Sequence, residues 1–174
     1  MGKGIYIYYL AEKGIIKGKT QNSFAPNDHV TRAEFVTILW RISKEETVEE
    51  AAAFDDVSDA DWFAKSVAWA AEAGITKGVS DRTFAPNDNI IRQDMACMLL
   101  RFANYMDFEL PSLSDEIVFA DGADIAEYAK EPVSAMQRAG IISGKGNDEF
   151  APLDFATRAE CSKMIAMLLH LMEE

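Results

Sequence analysis

Residues 74–94 read GITKGVSDRTFAPNDNIIRQD, and their pattern recurs twice in the chain. Residues 14–34 read GIIKGKTQNSFAPNDHVTRAE, and residues 140–160 read GIISGKGNDEFAPLDFATRAE. In each stretch a Phe follows the first glycine by 10 residues, and an Arg follows that Phe by 8. Residues 14–34 and 74–94 are identical at 10 of 21 positions without a gap. Spacing that recurs three times in one chain establishes an internal threefold repeat.

Each repeat is predicted to fold as helix, loop and helix, because apolar residues recur every three or four positions on both sides of the loop. In the second repeat, Phe63, Val67 and Ala70 predict the first helix. Ser58, three residues before an Asp, predicts its capped start, and Gly74 predicts its end. The apolar faces of the three second helices are Phe35, Ile38, Leu39 and Ile42; Met95, Met98, Leu99 and Phe102; and Cys161, Met164, Ile165 and Leu168.

The starts of the second helices carry a capping signal in two of the three repeats. Thr31 and Thr157 are predicted N-caps, because each is followed three residues later by a Glu that can reach back to the cap amide. The second repeat has Ile91 at this position, and its side chain cannot cap. There, Asn89 or Asp88 is predicted to cap the helix one turn earlier.

Three equivalent amphipathic helices need a shared core, which predicts an all-α fold. We expect three helix-loop-helix repeats in an intramolecular pseudo-trimer around a central three-helix bundle, with the first helices and loops outside. The whole chain then forms one compact domain, monomeric in isolation. The predicted divisions are repeat 1 at 1–43, a linker at 44–53, repeat 2 at 54–106, a linker at 107–118 and repeat 3 at 119–174.

Composition narrows the classes of function. The 174 residues are 49% hydrophobic and 26% charged, which is typical of a globular protein, and the net charge is −12. Such an acidic chain is a poor partner for nucleic acid or an anionic membrane surface. No apolar run reaches the length of a membrane span, and residues 1–10 lack the pattern of a signal peptide. Two cysteines make no disulfide framework; Cys97 is predicted to be exposed and Cys161 to lie in the core.

No pattern of catalytic or metal-binding residues is present in the sequence. His29 and His170 stand alone, and the acidic residues of the loops lack the spacing of an EF-hand. There is no nucleophile with an adjacent base, no phosphate-binding glycine loop and no recurrent carboxylate pair. The chain is therefore predicted to be no enzyme and to use no cofactor or metal.

The ordered motifs resemble those of the S-layer homology (SLH) domain family. The second repeat gives a nearly complete copy, with 54–57 as Phe-Asp-Asp-Val, Trp62, and the three motifs within 74–94. The resemblance extends over almost the whole chain. It implies three repeats around a central bundle, with grooves that bind secondary cell-wall polysaccharide, often through a terminal pyruvylated N-acetylmannosamine. Such binding holds surface proteins non-covalently on the outside of the bacterial wall.

The resemblance also implies the site residues, and the arginine is the family's best-attested contact. An Arg at the first position of a helix suits a carboxylate, because the helix dipole and its unpaired N–H groups also favour an anion. The alternative is an ion pair with Glu34, Asp94 or Glu160. The predicted ligand-binding residues are Arg32, Arg92, Arg158, Trp62, Tyr128, Asp56, Asp121, Gly18, Gly78 and Gly144.

Other roles remain open for several of these residues. Trp62 can contact sugar or pack the first helix. Asp56 and Asp121 can bind sugar hydroxyls or cap the following segment. The three glycines can admit a sugar or simply allow a positive φ. Repeat 1 has Gly2 where the other repeats have their aromatic, so one or two competent grooves are predicted.

The predicted function is non-covalent, non-catalytic anchoring to the cell wall. Two alternatives remain: a protein-interaction module on the same scaffold, or the anchor part of a larger surface enzyme.

Overall fold

The computed structural model describes residues 4–21, 23–45, 48, 54–115 and 118–173. These residues form six α-helices and one short 3-10 helix, with isolated β-bridges but no β-strand. The all-α prediction is confirmed. The α-helices are α1 at Gly4–Glu12, α2 at Arg32–Ser43, α3 at Ala64–Glu72, α4 at Arg92–Tyr105, α5 at Glu127–Arg138 and α6 at Arg158–Glu173.

Each first helix packs against the second helix of the preceding repeat in cyclic order. Thus α3 packs on α2, α5 on α4, and α1 on α6. The hydroxyls of Thr37 on α2 and Ser66 on α3 are 2.7 Å apart and buried. At the other end of the chain, the Tyr9 hydroxyl donates to Glu173 at 3.0 Å. The repeat seen in the sequence is therefore not the packing unit, because each repeat is completed by its neighbour.

Three buried backbone segments close the repeats into a ring. Val30 N–H donates to the Ala156 carbonyl at 3.1 Å, Ala156 N–H to Ile90 at 2.9 Å, and Ile90 N–H to Val30 at 2.9 Å. All three residues are at most 1% exposed. Because each repeat donates once and accepts once, no buried amide or carbonyl of the ring lacks a partner.

One continuous hydrophobic core contains residues from all three second helices, including Phe35, Met95 and Cys161. Trp69 is also buried. The predicted exposure of Cys97 is wrong, because α5 covers it and leaves it 3% exposed. Burial raises the pKa of the Cys97 thiol to about 11 and that of Cys161 to about 12, so neither is a reactive thiolate near neutral pH.

The helix starts confirm both predicted threonine caps and correct two other predictions. At α6 the Thr157 hydroxyl accepts from the N–H of Glu160 at 3.2 Å, and the Glu160 carboxylate accepts from the N–H of Thr157 at 2.8 Å. Thr31 forms the full capping box of α2: its hydroxyl accepts from the N–H of Glu34, and the Glu34 carboxylate accepts from the N–H of Thr31. Helix α4 begins directly after Ile91 without a side-chain cap, so the earlier cap at Asn89 or Asp88 was a wrong prediction.

The predicted capped start of α3 at Ser58 is also wrong. Asp61 does accept from the N–H of Ser58 at 2.8 Å, but this bond closes a turn that precedes the helix. Helix α3 begins only at Ala64.

Candidate functional site

Within the described part of the chain, each of the three predicted arginines lines a surface groove between two repeats, and each groove is named here after its arginine. The Arg158 groove has a volume of about 290 Å³ and includes Gly18 of the next repeat in cyclic order. Likewise, the Arg32 groove includes Gly78 and the Arg92 groove includes Gly144, each from the next repeat. Every predicted arginine thus meets the glycine loop of its neighbour rather than its own.

The arginines connect neighbouring repeats through equivalent bonds. Their Nε atoms donate to the carbonyl of the loop Phe in the next repeat, at 2.8 Å for Arg32 and 2.9 Å for Arg92 and Arg158. Each guanidinium also lies 4.4–5.1 Å from the centroid of that Phe ring. The ring and the carbonyl together fix the direction in which each arginine enters its groove.

The helix starts at the grooves are already occupied by protein carbonyls. In α4, the N–H groups of Arg92 and Gln93 donate to the carbonyls of Asp154 and Pro152 at 3.0 and 3.1 Å. Equivalent pairs form at α2 and α6. The expectation that unpaired N–H groups would help to bind an anion is therefore wrong. At these helix starts the first two N–H groups are therefore not available to a ligand.

Two of the arginines form buried ion pairs across repeats. Arg32 Nη1 lies 3.1 Å from Asp94, and Arg92 Nη1 lies 3.0 Å from Glu160. Both arginines are 4% exposed. Burial lowers their pKa, and the neighbouring carboxylates oppose that shift. The ion-pair alternative is thus realised at these two positions, where the arginine is buried and the carboxylate, 23% exposed, reaches the surface.

An exposed aromatic residue lies beside two of the grooves, and it comes from the remaining repeat. Trp62 is 65% exposed and lines the Arg158 groove. Tyr128 is 56% exposed and lines the Arg32 groove, where its hydroxyl donates to Asp94 at 2.7 Å. Gly2, the equivalent residue of repeat 1, lies outside the described residues. Each of these two grooves therefore contains residues of all three repeats, which the sequence did not predict.

Asp56 and Asp121 line none of the three grooves, and each stabilises a loop by hydrogen bonds to its backbone. The two carboxylate oxygens of Asp56 accept from the N–H groups of Phe84 and Ala85 at 2.8 and 2.7 Å. Asp121 binds the equivalent loop of repeat 3 with the same distances. These loops need support because Ala85 has a φ of 57°, which is unfavourable for a residue with a side chain. These bonds do not cap the segment that follows each Asp, as that alternative expected, because the loops that they hold lie 28–30 residues further along the chain.

The groove glycines are required by the loops themselves. A Cβ atom at Gly18 would lie 2.6 Å from the Thr20 carbonyl oxygen, and one at Gly144 would lie 2.7 Å from the Glu149 carbonyl oxygen. Only Gly78 has a positive φ, 75°, so that alternative fails at the other two positions. The shared reason is that each loop folds tightly back on its own backbone.

Replacing Gly78 by Ala is expected to lower the free energy of unfolding by about 2–4 kcal/mol. Its Cβ would lie 2.5 Å from the Thr83 carbonyl oxygen, and its φ is in the left-handed region. Urea unfolding followed by circular dichroism measures the loss. Gly122→Ala is the control, because its Cβ would meet nothing within 4 Å. Equal losses in the two variants would contradict the steric explanation.

The grooves contain further cations that the motifs did not point to. Lys17, Lys19 and Arg41 line the Arg158 groove. Lys77 and Arg101 line the Arg32 groove at the positions equivalent to Lys17 and Arg41. Because these cations recur at equivalent positions of two repeats, their pattern in the sequence could have identified them. These cations give the grooves local positive charge on a protein with a net charge of −12.

The described part of the chain shows no arrangement of His, Cys, Asp or Glu side chains suited to a metal ion. None of its helices combines the length and hydrophobicity that crossing a bilayer requires.

The fold and grooves define a repeat protein in which arginine, glycine loop and aromatic residue surround clefts between structural units. The chain belongs to the S-layer homology domain family, whose model matches residues 2–36, 53–96 and 118–160. These matches confirm the resemblance of three tandem repeats.

Similar proteins include surface-layer proteins and large polysaccharide-degrading enzymes. The chain is 32% identical to an amylopullulanase of Thermoanaerobacterium thermosulfurigenes over 94% of its length, covering 9% of that protein. It is 33% identical to an endoglucanase of Bacillus sp. (strain KSM-635) over 94% of its length, covering 17%. It is 31% identical to the S-layer protein sap of Bacillus anthracis over 92% of its length, covering 19%. The chain thus spans less than a fifth of each of these relatives.

The family and these matches show a cell-wall-anchoring module at the bacterial surface that binds cell-wall polymers. The enzymes match only in a small part of their length, so the matched segment is not catalytic.

Proposed function

We propose that this chain anchors a surface protein by binding an acidic, pyruvylated secondary cell-wall polysaccharide in the grooves between its repeats. The observation that carries the proposal is the recurrence of one set of groups, arginine, glycine loop and exposed aromatic, around two clefts. An exposed aromatic face suits a sugar ring, and a guanidinium suits the carboxylate of a pyruvate ketal.

The grooves supply what the acidic surface of the chain lacks. A negatively charged polymer is repelled by a net charge of −12, so it needs local positive charge to bind. Lys17, Arg41 and Arg158 in one groove provide it beside a single lining carboxylate, that of Glu34, while the fourth lining cation, Lys19, is paired with Asp28. Two grooves on one polymer also raise the avidity above that of either groove alone.

The chain is proposed to be the anchor of a longer surface protein. Its relatives include an amylopullulanase and an endoglucanase in which the matched segment is a minor part of the length. An attached enzyme of this kind would act on polysaccharide outside the cell while these repeats hold it on the wall.

Co-sedimentation with purified Gram-positive wall sacculi, before and after chemical removal of the secondary polysaccharide, tests the function. The chain is expected to sediment with intact sacculi and to stay in solution with stripped ones. Trp62→Ala is expected to weaken binding about threefold to tenfold, because it removes the exposed ring from the Arg158 groove.

Phe155→Ala is the matched control, since Phe155 is 47% exposed but lines none of the three grooves. Binding that persists on stripped sacculi, or that is equally weakened by both variants, would contradict the proposal. No binding to either preparation would favour a protein-interaction module on the same scaffold.

A further inference from the structure

The three arginines that look alike in the sequence differ in how their charge is compensated. Arg32 and Arg92 are 4% exposed, and each pairs with a carboxylate of the next repeat. Their positive charges are therefore largely neutralised within the protein. Arg158 is partly exposed, and within the described part of the chain its guanidinium donates to two carbonyls, that of Phe24 at 2.9 Å and that of Lys17 at 2.7 Å.

No carboxylate among the described residues forms an ion pair with Arg158, although the repeat places Glu34 where the other grooves have Asp94 and Glu160. Glu34 lines the groove and uses one carboxylate oxygen to cap α2. The nearby Asp28 is neutralised by Lys19, whose Nζ lies 2.7 Å away. Carbonyls orient the Arg158 guanidinium, but they leave its net charge available to a ligand.

The linings of the two grooves differ less than their arginines do. Lys17 and Arg41 of the Arg158 groove have equivalents in Lys77 and Arg101 of the Arg32 groove, so these cations do not distinguish the two. Lys19, which is paired with Asp28, has Val79, 57% exposed, as its equivalent. In the Arg32 groove the Tyr128 hydroxyl also binds Asp94, the carboxylate that neutralises Arg32. Beside its arginine that groove therefore offers an aromatic ring and a hydrogen-bond-accepting carboxylate, which suit the hydroxyls of a sugar better than a carboxylate.

We infer that the grooves divide the ligand between them: the Arg158 groove binds the carboxylate-bearing sugar, and the Arg32 groove binds an uncharged sugar. This inference rests on the proposed function and assigns separate roles to two of its sites. Arg158 and Asp94 determine this selectivity. The charge of Arg158 is available to a ligand, whereas Asp94 neutralises the charge of Arg32.

The test uses two probes, the methyl glycoside of N-acetylmannosamine and the same glycoside carrying a 4,6-pyruvate ketal. Fluorine NMR of the chain with 5-fluorotryptophan reports the Arg158 groove, because Trp62 is the only one of three tryptophans that lines a described groove. In a second sample, 3-fluorotyrosine at Tyr128 reports the Arg32 groove. Trp62→Phe and Tyr128→Phe assign the two signals.

The ketal probe is expected to shift the Trp62 signal with a Kd at least tenfold below that of the uncharged probe, because a charge-assisted hydrogen bond is formed. Added salt weakens this binding. Arg158→Gln is expected to abolish the preference. At Tyr128, the two probes are expected to bind within threefold of each other. Asp94→Asn, which releases Arg32, should create a preference for the ketal there of about fivefold or more.

The comparison of the two probes on the unmodified chain needs no variant, so it stands even if Arg158→Gln fails to fold. Equal Kd values for the two probes at Trp62, or a stronger ketal preference at Tyr128, would overturn the inference. The absence of any shift with either probe would overturn it as well. In each case, polysaccharide-dependent co-sedimentation of the chain would show that the wall-anchoring proposal survives, and its absence would show that both fail.

Discussion

Replacing Arg92 by Met is expected to lower the free energy of unfolding by about 3–5 kcal/mol. The change removes a buried hydrogen bond to the Phe150 carbonyl, at 2.9 Å, and an ion pair to Glu160, at 3.0 Å. The Glu160 side chain, 23% exposed, loses its closest cation and keeps only Lys145 at 3.5 Å. Met fills the space of the arginine stem, so the loss measures polar contacts rather than a cavity. Urea unfolding followed by circular dichroism gives the value.

Arg82→Met is the matched control for this experiment. Arg82 also pairs with a carboxylate, that of Asp55, but the two side chains are 76% and 62% exposed. An exposed pair gains little in water, so no measurable loss is expected. If both variants lose the same stability, Arg92 does not hold repeats 2 and 3 together.

The ion pair between Arg92 and Glu160 predicts that the free energy of unfolding depends on pH. Burial alone would raise the pKa of Glu160, but hydrogen bonds from Thr157 and attraction by Arg92 outweigh burial and lower it. A carboxyl with a lowered folded pKa stabilises the protein above the pKa of an unfolded glutamate, about 4.3, and this stabilisation is lost as the pH falls through the folded value. As the pH falls from neutral to below about 4.3, the free energy of unfolding should therefore decrease less for Arg92→Met than for the unmodified chain.

Replacing Phe84 by Ala is expected to cost about 3–5 kcal/mol of unfolding free energy, mainly through the cavity that it leaves. Phe84 is fully buried in the loop of repeat 2. Its ring lies 5.6 Å from that of Phe54 and 5.1 Å from the Arg32 guanidinium, measured between centres. Its loss therefore removes packing within one repeat and the surface on which the arginine of another rests.

Phe155→Ala serves again as the control, because its half-exposed ring leaves no closed cavity. We expect it to lose about 1 kcal/mol or less. Guanidinium unfolding of both variants provides the comparison. A loss at Phe84 as small as that at Phe155 would show that the loop can close over the missing ring.

The sequence predicted the local features well because short-range chemistry decides them. The repeat spacing located three loops, and the apolar faces of the second helices correctly placed Phe35, Met95 and Cys161 in the core. Thr31 with Glu34 predicted a capping box that the structure contains in full. Predictions failed where a neighbouring repeat intervenes. Cys97 is buried by α5, and the first N–H groups of all three second helices donate to loop carbonyls of the next repeat in cyclic order instead of remaining unpaired.

By itself, the sequence determined the number of repeats, the helical class and the candidate arginines, since each depends on residues close together in the chain. Which residues share a groove depends on how the repeats pack against one another. Arg158, Gly18 and Trp62 come from three different repeats and meet because each first helix packs on the preceding second helix and the backbone ring closes. The tertiary structure also distinguishes Arg158, which is partly exposed, from Arg32 and Arg92, which are buried and ion-paired. Burial and ion pairing depend on contacts across repeats, which no spacing within one repeat records.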